Sequence, residues 1–216
     1  MRFYRTFLVA SLLVPLGAAR LAAAEYFVSP GDNNANDGLT EAKALADIDK
    51  ADKLVKPGDI VTFLDGKYDH IWTWTLKASG TPEAWITYRA KNRHKAYLHA
   101  TGKPPQADFC DAIRVNANYI VIDGFEASSD SSGNGVWVED AHHVVVRNCL
   151  AHHCGGAGVA AQRADYLTFE DNIIHHNSFT NGYQTSGISI CAPNMLVSTA
   201  SPKWLMATAG RRSEPT

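Results

Sequence analysis

Beyond its first two dozen residues the chain has no apolar run approaching the ~20 residues of a membrane-spanning helix, so none is expected in its body. Basic excess is also missing: 20 lysines and arginines stand against 22 acids, which argues against nucleic acid as a general partner. Zinc-type cysteine spacing is absent. The 4 cysteines, Cys110, Cys149, Cys154 and Cys191, fit either two disulfides or small buried apolar side chains. No helical period runs between the apolar segments of the second half, which excludes a strand–helix–strand layout.

What is present begins with an export signal. Arg2 and Arg5 supply a charged start, Phe7 to Ala18 an apolar run too short to span a bilayer, and Ala22-x-Ala24 a small-residue cleavage site. Residues 1–24 are therefore expected to be a leader, and the mature chain to be secreted or periplasmic, with no membrane partner. Loss of Arg2, Arg5 and Arg20 takes the formal charge from −2 to −5.

The body repeats itself. Ile120/Ile122, Val144/Val146 and Leu167/Phe169 recur after 24 and then 23 residues, each pair followed by a second segment starting at Gly135, Gly158 and Gly187. Short alternating segments between Gly, Asn, Asp and Ser corners at this period predict an all-β solenoid, a right-handed parallel β-helix. Ile60–Phe63, Trp72–Thr75, Trp85–Tyr88, Ala96–His99 and Ala112–Val115 read as less regular early coils. Coils are expected over 59–190, with residues 25–58 as an N-terminal cap. Thr40 is expected to cap a helix over about 41–55, with Leu45, Ile48, Leu54 and Val55 on its apolar side. The period stops at Ile190, so residues 191–216 are expected to be an irregular tail, from a truncated or frame-shifted gene product or as a native cap. An open last coil would expose strand edges, and self-association through it is expected.

Tyr26-Phe-Val-Ser-Pro-Gly-Asp32, Asn36-Asp-Gly38, Lys56-Pro-Gly-Asp-Ile-Val61 and Asp65-Gly-Lys-Tyr68 resemble the N-terminal region of secreted right-handed parallel β-helix proteins, nearest to the family-nine polysaccharide lyases of the pectate-lyase-like group. The resemblance runs from about Tyr26 to Ile190. It implies β-elimination on an acidic polysaccharide such as polygalacturonate. In that reaction Ca²⁺ held by acids binds the uronate carboxylate, and a lysine or arginine removes the C5 proton. The family's acidic run, of the type Asp-Asp-Gly-x-Asp, has no counterpart at the corners Gly133–Trp137, Gly156–Val159 or Ser186–Ser189. The acids nearest that position are Asp130, Glu139 and Asp140, the candidate calcium ligands.

No residue matches the family's basic lysine; Arg114, Arg147 and Arg163, on regular coils, are the candidate bases, with surface solubility as the plainer account. Arg89, Lys91, Arg93 and Lys95 form a basic cluster able to hold a polyuronate, or else a solvated turn. Three His-His pairs, 142/143, 152/153 and 175/176, offer imidazoles. The last two stand 23 residues apart and so are expected to stack on adjacent coils, as metal ligands or as a polar ladder. Asp32, Asn33, Asn36 and Asp37 make an oxygen-rich loop that reads as Asx turns. Trp72, Trp74, Trp85 and Trp137 fit either core or a sugar-stacking surface. The alternatives to a lyase are a non-catalytic carbohydrate-binding or structural β-helix, an inactive lyase remnant, or a glycoside hydrolase, which would need paired carboxylates.

Overall fold

The computed structural model describes residues 23–102, 108–179, 186–191 and 197–198. The expected leader, apart from its last two residues, and most of the expected tail lie outside them. Three parallel sheets run along one axis. In one coil, Ile120–Asp123 lies in the first sheet (A), Glu126–Ser129 in the second (B) and Val136–Glu139 in the third (C), and His142–Arg147 then returns to sheet A. The repeat behaves as expected: Ile120 and Ile122 pair in register with Val144 and Val146, and these with Leu167 and Phe169. The segments after Gly135, Gly158 and Gly187 stack as Val136–Glu139, Val159–Gln162 and Ile188–Cys191 in sheet C. In sheet B the expected segment Ala96–His99 is found as the strand Ala96–Ala100, whereas Glu126–Ser129, Leu150–Cys154 and Ile173–His175 were not anticipated.

Alternation explains the stack. In His142–Arg147 the valines Val144 and Val146 are fully buried while Val145 and Arg147 point outward, the period-two pattern of a strand with one face in a core. Each fully buried Ile, Leu or Phe contributes about 1.5–3 kcal/mol relative to exposure. Asn148, Asp140, Arg163 and Asp171 make the corners, with φ between 47° and 55°, a left-handed region that Asn and Asp tolerate better than most. Side-chain ladders then fix the spacing between coils. Asn172 accepts from the Cys149 amide at 2.9 Å and donates to the Val146 carbonyl at 2.8 Å, and Asn177 makes the equivalent pair with Cys154 and Ala151.

The N-terminal cap is a shorter helix than expected. Glu41–Lys43 forms a single 3₁₀ turn, Thr40 makes no capping bond, and the α-helix spans Ile48–Leu54 with Asp47 accepting from the Lys50 amide at 2.9 Å. Between them Leu45 bridges Val28, its N–H donating to the Phe27 carbonyl and its carbonyl accepting from Ser29, so sheet pairing takes these residues from the helix. Ile48 and Ala51 are buried, and Asp52 ties the helix to the coils by accepting from the Tyr88 hydroxyl at 2.7 Å. Residues 25–28 are the first strand of sheet A rather than a separate cap. At the other end Val197–Ser198 pairs with Leu167–Thr168, so the expected irregular tail contributes a strand to sheet A.

All four cysteines are free. Cys110, Cys149 and Cys154 are buried and Cys191 is exposed. Burial pushes the Cys149 thiol up to about 12 and raises Cys154 and Cys110 as well, which leaves them inert as small core side chains.

Candidate functional site

The outer face of sheet A carries one register row across successive coils: Thr62, Arg89, Asp123, Arg147 and Glu170. Charge alternates along it. Arg89 donates to Glu25 at 2.8 Å and to Thr62 at 3.0 Å, while Arg147 donates to Asp123 at 2.9 Å and lies 3.9 Å from Glu170. The Thr62 hydroxyl and the Arg89 guanidinium hold the Glu25 carboxyl below its usual range. Past the end of this row the turn at 91–95 folds over the corner between sheets A and B. There Lys91 ion-pairs with Glu41 at 2.6 Å, and Arg93 donates to the carbonyls of Asn148 at 3.3 Å and Asp171 at 3.0 Å.

These residues open onto a cleft of about 580 Å³ lined by Glu25, Glu41, Arg89, Lys91, Arg93 and Asp123, among others. Of the four cations expected to hold substrate, the structure brings Arg89, Lys91 and Arg93 together; Lys95 is exposed and not part of the lining. Arg89 and Lys91 already have carboxylate partners. The Arg93 bonds are to neutral carbonyls, which orient its guanidinium without neutralising it.

Sheet C gathers residues expected to play separate parts. Arg114 donates to Asp111 at 2.7 Å and lies 3.4 Å from Glu139. Arg163 donates to Glu139 at 2.7 Å and is clamped by Asp140. Two candidate bases and two candidate calcium ligands thus form one chain of ion pairs. Asp130, the third candidate ligand, lies beyond the end of a sheet B strand, 3.3 Å from His99 Nε2. Of the three expected calcium ligands, Glu139 and Asp140 are paired with arginines and Asp130 is on another face, so the structure does not bring them together. Among the described residues no group of three His, Cys, Asp or Glu could hold a metal ion, and these three carboxylates do not form a calcium site there. Nor does the network suit a base. Hydrogen bonds that Arg163 donates to Asp140 and Glu139 raise its pKa further, and a base must surrender the proton that these carboxylates stabilise. Arg147 stands apart on sheet A.

Sequence reasoning missed Asp111. It is fully buried and accepts from the Asn134 amide at 2.8 Å, from Asn134 Nδ2 at 2.9 Å and from Arg114. It also missed Tyr97, His99, Glu126 and Ser128 on the outer face of sheet B, where the Tyr97 hydroxyl lies 2.7 Å from Ser128 Oγ and His99 Nδ1 lies 2.7 Å from Asp69. The alternation Tyr97-x-His99 was the available signal. Trp137 is half-buried beneath the Arg114 guanidinium, 5.3 Å from its ring, whereas Trp72 is 61% exposed.

A three-sheet parallel solenoid with charged side chains in rows along its outer faces defines the class: a parallel β-helix of the pectate-lyase-like kind. More narrowly, the chain belongs to the Pel9A-like right-handed β-helix family, whose model matches residues 26–190. Among solved structures it is similar to pectate lyase Pel9A, with 22% identity, a TM-score of 0.62 and coverage of 77% of this chain and 46% of that one. It is also similar to an alginate lyase from Paenibacillus sp. str. FPU-7, with 18% identity, a TM-score of 0.53 and coverage of 68% and 60%. A GH136 lacto-N-biosidase from Eubacterium ramulus shares 15% identity with a TM-score of 0.58, covering 77% and 40%. At these identities the likeness shows the fold. The chain spans about half the length of the pectate lyase. No curated protein matched the sequence.

Proposed function

We propose that this chain is an exported protein acting on an acidic polysaccharide, and that the cleft holds uronate carboxylates on its way to β-elimination. The convergence of Arg89, Lys91 and Arg93 on one open cleft carries this reading. Family membership supports it, since pectate and alginate lyases are named among the similar structures. Arg93 is the central contact: held by two carbonyls, it can meet a sugar carboxylate with the paired donors of a guanidinium.

Polygalacturonate and alginate are the ligands to titrate. A Lys91→Ala, Arg93→Ala double variant is expected to weaken binding roughly tenfold to a hundredfold, since a hydrogen bond to a charged group contributes about 1.5–3 kcal/mol. Unchanged affinity in the folded variant would remove the cleft from the proposal. Cleavage is read separately, as absorbance near ~235 nm from unsaturated uronates, with calcium and then with chelator.

The saturation of Arg114, Arg147 and Arg163 by carboxylates favours a second reading, in which the chain binds the polymer without cutting it. Binding with a flat absorbance trace is its expected signature. Self-association is a further part of the proposal, because Ile173 and Phe179 on the last coils are 40% and 59% exposed. Sedimentation is expected to show concentration-dependent dimers or larger species; a clean monomer across the accessible range would refute it.

A further inference from the structure

Sheet B places two His-His pairs one above the other, with His152 in register with His175. On a regular strand the second residue of each pair would face inward. His153 and His176 instead have φ of 51°, and this left-handed corner turns their rings out beside the first. Within each pair the Nδ1 atoms meet, at 2.9 Å for His152–His153 and 2.8 Å for His175–His176. Between coils the rings lie nearly parallel: His152 and His175 are 5.3 Å apart at 6°, and His153 and His176 are 5.4 Å apart at 5°.

Hydrogen bonding fixes the protons. Glu126 Oε1 lies 2.9 Å from His152 Nε2, and a carboxylate only accepts, so His152 carries its proton on Nε2. Where His152 carries that single ring proton, its Nδ1 is bare and accepts from His153 Nδ1–H. That leaves Nε2 of the exposed His153 with its lone pair directed to solvent, beside the parallel and equally exposed His176.

We propose that His153 and His176 form a surface site for one transition-metal dication of the copper, nickel or zinc kind, bound through Nε2, with Glu126 and His152 as positioning residues. Imidazole suits these ions, and an outer carboxylate that fixes the ligand tautomer is the usual support of a metal-bound histidine. Bonds of about 2.0–2.1 Å place two nitrogens on one ion no more than about 4 Å apart, so the two exposed rings, parallel at 5.4 Å, must rotate until their Nε2 lone pairs converge. Since no three-ligand group exists among the described residues, water completes the coordination.

His142–His143 is the internal control. Its Nδ1 contact is the same, 2.8 Å, but the rings stacked on His143 are those of Tyr119 at 4.8 Å and Tyr166 at 4.5 Å, where His153 has His176. The experiment titrates the full chain with Cu(II), in a Cys191→Ser background that removes the exposed thiol, and reads calorimetry and the electron paramagnetic resonance spectrum. Expected are a single ion per chain, coupling to two imidazole nitrogens, and a loss for His153→Gln or His176→Gln of roughly tenfold to a hundredfold or more, the scale that even an outer-shell partner commands. His143→Gln should bind as the parent does. Circular dichroism of each variant confirms the fold. Failure of the folded parent to bind, affinity unchanged by either substitution, or an equal loss in His143→Gln would overturn the proposal.

Discussion

Asp111→Ala is expected to lower the free energy of unfolding by about 3–5 kcal/mol, since it leaves two buried Asn134 donors without their acceptor at about 1–3 kcal/mol each and weakens the hold on Arg114. Asp111 has no exposed surface, and three donors converge on it: the Asn134 amide, Asn134 Nδ2 and the Arg114 guanidinium. Truncation leaves all three without their acceptor. The damage spreads along the axis, because Asn134 Oδ1 in turn accepts from the Ala157 amide at 2.9 Å, so one carboxylate anchors a ladder across three coils. Arg114 would also lose the contact that holds it over Trp137 and beside Glu139. Asp111→Asn separates the parts: its amide oxygen can still accept from Asn134, but the charge facing Arg114 is gone, and a loss of about half is expected. Urea denaturation of the three proteins measures both. A loss below about 1 kcal/mol for the alanine variant would show that the ladder is redundant.

The axis of this fold was legible because its core is written in large side chains at a constant interval. Ile120, Val144 and Leu167 stack in register, and no helical pattern competes with them. Of sheet B only Ala96–His99 was legible, and its later strands were not. Their inward residues are Ala127, Ser129, Ala151 and Cys154, small enough to read as turn, and their outward ones are Glu126, Ser128, His152 and His175, polar enough to read as loop. The helix was overdrawn for a related reason. Glu41–Val55 has good intrinsic propensity, yet the bridge from Leu45 to Val28 is a tertiary contact that no local pattern announces.

At the site, individual charges could be picked out but their partners could not. Arg114 and Arg163 stood out as outward cations and Glu139 and Asp140 as clustered acids, and the structure satisfies each with the other. Opposite charges on neighbouring coils, 23 to 25 residues apart, are as compatible with mutual neutralisation as with a metal and a base. Only the rotamers decide between them. In the basic cluster Arg89, from the strand Ile86–Ala90, and Lys91 and Arg93, from the loop that follows, line one cleft, while Lys95 of the same loop does not.

Phe125→Ala is expected to cost about 3–5 kcal/mol and to weaken polyuronate binding in the same protein. Phe125 is fully buried at the turn from sheet A to sheet B, with its ring 5.0 Å from Phe63 in an edge-on contact. Both aromatics follow directly on cleft residues, Gly124 and Thr62 respectively. Gly124 has φ of 80°, so the turn depends on a backbone conformation that favours glycine, and the Phe125 ring keeps that turn seated on the core. Without the ring a cavity opens under the cleft floor, and Asp123, which holds Arg147 and Asn148, loses its fixed position. Phe125→Leu should fill most of the space, retaining most of the stability and nearly all of the affinity. Denaturation midpoints and polyuronate titrations on the same samples, below the unfolding transition, test the coupling. Loss of stability with affinity intact would mean that the cleft is organised by its ion pairs alone, and a stability loss under about 1 kcal/mol would mean that the core closes around the missing ring.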